Sequence, residues 1–241
     1  MKKILTVFSI YIILIISITS CKNSEANTSN TSKSYNISDF SNLNLKVLGD
    51  VYYEQSSNVY LKVTGSSDLI EKLKVSSENG TLSIELDNPK SFAINKKDLI
   101  FKVGSPKIEH LNFNSIGTFY LKNAFKNEKL SITNNGVGQI KIDDCQVSTF
   151  NLTSKGVGTM EIEGISNQTI IHSEGMGKID CSNFKSENAK VINIGIGDIS
   201  VYAKNNLDIE IGGVGNVKYY GNPIDVKSKI SGLGKATDMN K

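Results

Sequence analysis

The sequence predicts an all-β protein: a parallel β-helix, or solenoid, of Gly-x-Gly coils about 19 residues long, with an irregular β cap at its N-terminal end. Three observations predict it. Apolar residues occur as short Val/Ile/Leu alternations and never as ten-residue helical faces, which favours strands. Gly-x-Gly recurs at Gly136-Val137-Gly138, Gly156-Val157-Gly158, Gly175-Met176-Gly177, Gly195-Ile196-Gly197, Gly213-Val214-Gly215 and Gly232-Leu233-Gly234, at spacings of 20, 19, 20, 18 and 19 residues. Aligning on the first glycine of each triplet lines up like residues in columns, the signature of stacked repeats.

Those columns carry the strand assignment. Four positions before the first glycine lie Ile132, Leu152, Ile171, Val191 and Ile209; four after it lie Ile140, Met160, Ile179, Ile199 and Val217. Six after it come Ile142, Ile162, Cys181, Val201 and Tyr219, with polar residues such as Lys141, Glu161, Asp180, Ser200 and Lys218 between. Alternation with period two within a coil, and stacking between coils, describes a β-solenoid. The middle residue of every triplet is apolar. The glycines are expected to supply a sharp, positive-φ corner between two short strands. A weaker copy, Ser115-Ile116-Gly117, precedes the first by 21 residues. Two positions before the corner, Asn134, Ser154, Ser173 and Asn193 fall by parity on the inner face, where they are expected to satisfy the turn's backbone groups.

The ends of the chain are organised differently. Lys2-Lys3 precede the apolar run Ile4–Ile18, about 15 residues and shorter than the ~20 that span a bilayer. The run ends in Ile18-Thr19-Ser20-Cys21, which resembles a bacterial lipobox, so residues 1–20 are expected to be a signal peptide and Cys21 the lipidated N-terminus. Residues 21–36 then read as a flexible tether. Within the expected β body, 37–236, the repeat coils occupy 105–236. Residues 37–104 alternate in shorter runs, with one helical turn at 68–73 and a hairpin turn at Glu78-Asn79-Gly80. That part is expected to cap the solenoid's exposed edge.

Phe40-Ser41-Asn42-Leu43-Asn44-Leu45, Gly49-Asp50-Val51, Ser77-Glu78-Asn79-Gly80-Thr81-Leu82-Ser83-Ile84, the Gly-x-Gly corners and Tyr219-Tyr220-Gly221-Asn222-Pro223 together resemble the "putative auto-transporter adhesin, head GIN domain" family of Bacteroidota lipoproteins. The resemblance covers about residues 37–236. It implies a β-helix-like fold and a cell-envelope location, and it implies no catalytic residues.

Composition excludes more than it identifies. The 27 basic residues, less Lys2 and Lys3, leave 25 against 24 acidic ones; none is Arg and none clusters, so no nucleic-acid partner is expected. Cys145 and Cys181 are placed by their columns as small buried hydrophobes rather than a bridge, Cys181 with Ile142, Ile162 and Val201, Cys145 with Ile165 and Phe184. His110 and His172 each stand alone, so no metal site is expected. The corners resemble calcium-binding β-roll repeats, but Asp198 aligns with Gln139, Thr159 and Lys178 and forms no carboxylate ladder. No cofactor is expected.

Asp143, Glu161, Glu163 and Asp180 make the best outward carboxylate cluster, with Lys141 and Lys178 interleaved. A solvated mixed-charge face is the expectation. Tyr202, Tyr219 and Tyr220 are candidates for an aromatic sugar platform, or for a cap on the core. The functional expectation is a non-enzymatic, lipid-anchored envelope module for adhesion, glycan binding or scaffolding. Its partners are a membrane, through the lipid at Cys21, and a glycan or envelope protein. The alternative is a polysaccharide lyase or hydrolase working on a β-helix flank.

Overall fold

A computed structural model describes residues 30–87 and 99–240. The expected signal peptide and Cys21 lie outside the described residues. In chain order the elements are β1 (Asn30–Tyr35), β2 (Asn42–Lys46), β3 (Asp50–Gln55), β4 (Tyr60–Ser66), α1 (Ser67–Glu71), β5 (Leu73–Glu78), β6 (Thr81–Leu86), β7 (Leu99–Ser105), β8 (His110–Phe113), β9 (Ile116–Leu121), β10 (Phe125–Asn134), β11 (Val137–Ser154), β12 (Val157–Ser173), β13 (Met176–Asn193), β14 (Ile199–Ile211), β15 (Val217–Tyr220), β16 (Asp225–Ile230) and β17 (Ala236–Asp238).

The protein is a nearly all-β solenoid of about six turns. From β8 onward each coil pairs in parallel with the next, and the columns read from sequence are the observed register: Ile132↔Leu152↔Ile171↔Val191↔Ile209, and Ile140↔Met160↔Ile179↔Ile199↔Val217. Each long strand bends round the coil, so the body has three sides. The first carries residues such as Leu130–Asn134, the second Val137–Ile142, the third Cys145–Val147. The inward columns of all three form one continuous buried core. A coil alone exposes both edges of its strands; stacking satisfies their backbone groups.

The corner chemistry divides between the two glycines. Gly158 has φ +146°, a conformation L-residues rarely adopt, whereas Gly156 does not lie in that range. The expectation of positive φ at every corner glycine is therefore corrected for the first of each pair. Gly156 is required for close approach instead: a Cβ there would overlap the carbonyl oxygen of Gly136 in the coil above. Of the four polar inner residues, the two asparagines serve the turn through their side chains, while Ser154 and Ser173 are buried in the same column without doing so. Asn134 Oδ1 accepts from the Gly136 amide at 3.0 Å, and Asn193 Nδ2 donates to the Gly197 carbonyl at 3.0 Å. Ser115, in the glycine column of the weaker corner, is buried and accepts the Val47 amide at 3.0 Å.

The N-terminal part is more than a cap. β2 lies in parallel between β6 and β8, and β3 between β7 and β9, so these two strands form a true coil inserted out of chain order. Leu48-Gly49 is its corner, bridged to Ile116. Capping falls to the antiparallel strands β4 and β5 and to α1, which buries Leu69 and Ile70. The hairpin turn between β5 and β6 places Asn79 and Gly80 at φ 49° and 71°, as a type I′ turn requires. Residues 30–35, assigned from sequence to the tether, form β1, antiparallel to β4. Their side chains are mostly exposed, so the segment lacks the apolar alternation that reveals a strand.

Candidate functional site

Three outer surfaces follow from this architecture. The first is the corner between the first and second sides. Parity turns the middle residue of each Gly-x-Gly outward, so the apolar column Ile116, Val137, Val157, Met176, Ile196, Val214 and Leu233 runs along the outside, 36% to 76% exposed. Register joins them into one ladder, beginning beside Leu48. Six inter-coil steps make it about 29 Å long. Ile194, half exposed, widens it near the C-terminal coils. Soluble proteins seldom leave so long an apolar strip uncovered without a use for it.

The second surface holds the carboxylates singled out from sequence. Lys141, Glu161 and Asp180 fall in one column. Lys141 Nζ stands 3.4 Å from Glu161, and Lys178 Nζ 2.8 Å from Asp180. Partial burial of Asp180 opposes its ionisation. Lys178 and the Ser182 hydroxyl, at 2.6 Å, outweigh that and hold the carboxyl below its ordinary value. Asp180 thus stays ionised, whereas a general acid needs a carboxyl pushed the other way. Asp143 and Glu163 lie exposed, Asp143 where β11 bulges relative to β12 and Glu163 where β12 passes the same break. The hollow bounded by Glu161, Glu163 and Asp180 is only about 150 Å³.

The same bulges correct the cysteine columns. Cys145 faces Gly164 and then Phe184; the slip of one residue puts Ile165 opposite Gln146 on the outer surface, half exposed. Small inward residues at Gly164 and Thr169 let Phe150 and Phe184 meet across the intervening coil, ring centroids 4.9 Å apart. Cys145 and Cys181 are buried, unbridged thiols. Burial, with Asp144 adjacent, pushes Cys145 up to about 12; burial pushes Cys181 up as well. Neither is suited to nucleophilic chemistry.

The third surface is a cleft of about 530 Å³ on the third side, floored by β11, β12 and β13 and bounded by β14. Its origin is a contraction of the chain. Between Cys181 and Lys185 β13 advances four residues, while β14 advances one, from Val201 to Tyr202. The shortened corner recedes and leaves the recess. Ile165 and the Tyr202 ring supply apolar walls; Gln146, Asn167 and Lys185 supply hydrogen-bonding groups. Glu187 is fixed by Lys204 at 3.2 Å and by Asn205 at 2.9 Å. Beneath lie the mutually bonded hydroxyls of Ser166, Thr169 and Ser186, 2.6 to 3.0 Å apart.

The remaining expectations resolve individually. Tyr202 pairs in register with Tyr220, while Tyr219 packs on the core. The closely stacked tyrosines are elsewhere, Tyr52 on Tyr120, with centroids 4.7 Å apart and Lys122 over both rings. They are 68 residues apart in sequence and meet only because β3 is inserted beside β9. The signal that could have found them is the apolar-Gly pair Leu48-Gly49, a corner with one glycine fewer. His172 stands 3.7 Å from Glu174, which also pairs with Lys155. Among the described residues no group of three or more His, Cys, Asp or Glu is placed to hold a metal ion.

Known proteins agree with this architecture. A putative adhesin from Bacteroides fragilis is 26% identical, superposes with a TM-score of 0.85, and covers 88% of this chain and 97% of its own. A putative lipid binding protein from Parabacteroides distasonis is 24% identical, with a TM-score of 0.68 over 88% of this chain and 98% of that one. A putative adhesin from Parabacteroides merdae, 18% identical over 88% and 97% of the two chains, has a TM-score of 0.67. No curated protein matches the chain. The names attached to the family and to these neighbours are those of binding proteins, not enzymes. Residues 39–223 match the model of one family, and the chain belongs to it: the "putative auto-transporter adhesin, head GIN domain" family.

Proposed function

We propose that this protein is a non-enzymatic adhesion module of the bacterial cell envelope, held to a membrane by a lipid on Cys21 and binding a neutral glycan in the cleft of the third side. The observation that carries the reading is the cleft's composition. An aromatic ring and an aliphatic wall stand beside amide and ammonium groups and a carboxylate, Glu187, that Lys204 and Asn205 hold in place. Sugars present apolar ring faces and a rim of hydroxyls, and this pairing of groups suits both. The shallow, open shape accords with an extended ligand bound at several points and weakly at each. On the second side Lys178 and Ser182 hold Asp180 as a carboxylate, the opposite of what a general acid requires, which weighs against hydrolysis there.

The test is a glycan-array screen of the mature protein with Tyr202→Ala beside it. Binding by the wild type that is lost in the variant is the expected result. A release assay on the same glycans, with Glu161→Gln as control, guards the other side: turnover that disappears in the Gln variant would overturn the binding-module reading. Palmitate labelling of wild type but not of Cys21→Ser tests the anchor separately.

A further inference from the structure

We propose that the exposed apolar ladder, Ile116 to Leu233, rests on the lipid surface, so that the solenoid lies lengthwise along the membrane instead of standing away from it. The inference rests on the anchor proposed above and adds an orientation to it. What selects lipid as the occupant is where the described chain begins. In β1, Thr31 is opposite Gly65, and Gly65 is opposite Leu99. A Cβ on Gly49 would meet the Leu99 carbonyl, and one on Gly117 the Gly49 carbonyl. Thr31, Gly65, Leu99, Gly49, Gly117 and Gly138 therefore lie on one line across the strands, the line of the corner. Asn30 is one residue further out, level with Leu48 at the start of the ladder. The chain thus leaves the body on the ladder's own corner, about four strand spacings, or ~19 Å, from its first residue, Ile116.

Eight residues lie between Cys21 and Asn30, and the nine steps from one to the other, fully extended, span about 30 Å. A lipid on Cys21 keeps that corner no farther from the bilayer than the ladder is long. Of the body's outer surfaces, the one aligned with the attachment point is the one that is apolar along its whole length. Its flanks suit a lipid interface. Lys155 is neutralised by Glu174 and Lys178 by Asp180, so insertion of the ladder does not bring a block of one charge to the surface. Half-exposed Val, Ile, Met and Leu side chains reach the headgroup–acyl boundary, where apolar burial adds to a single lipid anchor's limited hold.

The sequence holds no tryptophan, so a single one reports its own surroundings. Val157→Trp and Val214→Trp place the probe on the ladder, and Tyr202→Trp places it on the third side. Each lipidated protein is reconstituted into phosphatidylcholine vesicles with brominated acyl chains and first checked for flotation. Quenching of both ladder probes at least about twofold stronger than that of Tyr202→Trp is the expected result, given burial of ~5–10 Å for interfacial contacts. Proteins that fail to float overturn the anchor, and the orientation with it. Proteins that float with all three probes quenched alike overturn the orientation alone. Ladder probes shielded by a second copy, seen as a dimer in detergent without bromine quenching, would assign the strip to self-association and overturn the lipid contact.

Discussion

Replacing Gly158 by alanine adds one methyl group and should be among the most damaging single changes in the body. The residue sits at φ +146°, where an L side chain is strained by ~1–3 kcal/mol. The added Cβ would also overlap the Gly138 carbonyl, which is backbone and part of a stacked ladder, and forced overpacking of this kind costs ~1–3 kcal/mol more. The combined loss is about 2–6 kcal/mol. Gly156→Ala carries the overlap with Gly136 without the torsional strain, so it should fall at about half that. Lys155→Ala removes an exposed side chain paired at 3.2 Å with Glu174, which is ~0–1 kcal/mol. For a chain of this size each kcal/mol moves the melting point by ~2–4 °C. Thermal unfolding followed by far-UV circular dichroism should therefore rank Gly158→Ala below Gly156→Ala, and both below Lys155→Ala. Equal midpoints for Gly158→Ala and Lys155→Ala would refute the corner geometry.

Two further outcomes test the interior and the charged face. Phe150→Ala empties a fully buried position and removes the edge contact to Phe184, so urea unfolding should show a loss of ~3–5 kcal/mol, far above that of exposed Ile165→Ala. A loss below that of Ile165→Ala would mean the aromatic pair does not bridge the coils. Asp180 has a folded-state pKa below its unfolded value, so its contribution is present above the unfolded pKa and disappears as pH falls through the folded one. Lys178→Ala should raise the Asp180 pKa, read by NMR titration, and move that acid loss to higher pH. An unchanged titration would show that Lys178 does not hold the carboxylate.

The repeat was legible in the sequence because a solenoid translates directly into periodicity. Every coil puts the same offsets inside, so Ile132, Leu152, Ile171, Val191 and Ile209 announce their stack without any knowledge of the fold. The mixed-charge character of the Glu161–Asp180 face followed from the same columns. Three things required the tertiary structure. The coil of β2 and β3 lies between strands that come later in the chain, a pairing that no local pattern encodes. It brings Tyr52 onto Tyr120 and places β1 on the corner. The bulges at Asp143 and near Ser182 shift register by one to three residues, and fixed offsets cannot see them. That is why Ile165 turns outward from the column of Cys145, and why the cleft beside Tyr202 exists at all. The exposure of Val137, Val157 and their fellows depends on what covers a corner, which is a property of the assembled body. Apolar character is written residue by residue, but burial is decided only when the coils have stacked and the faces without a neighbour are known.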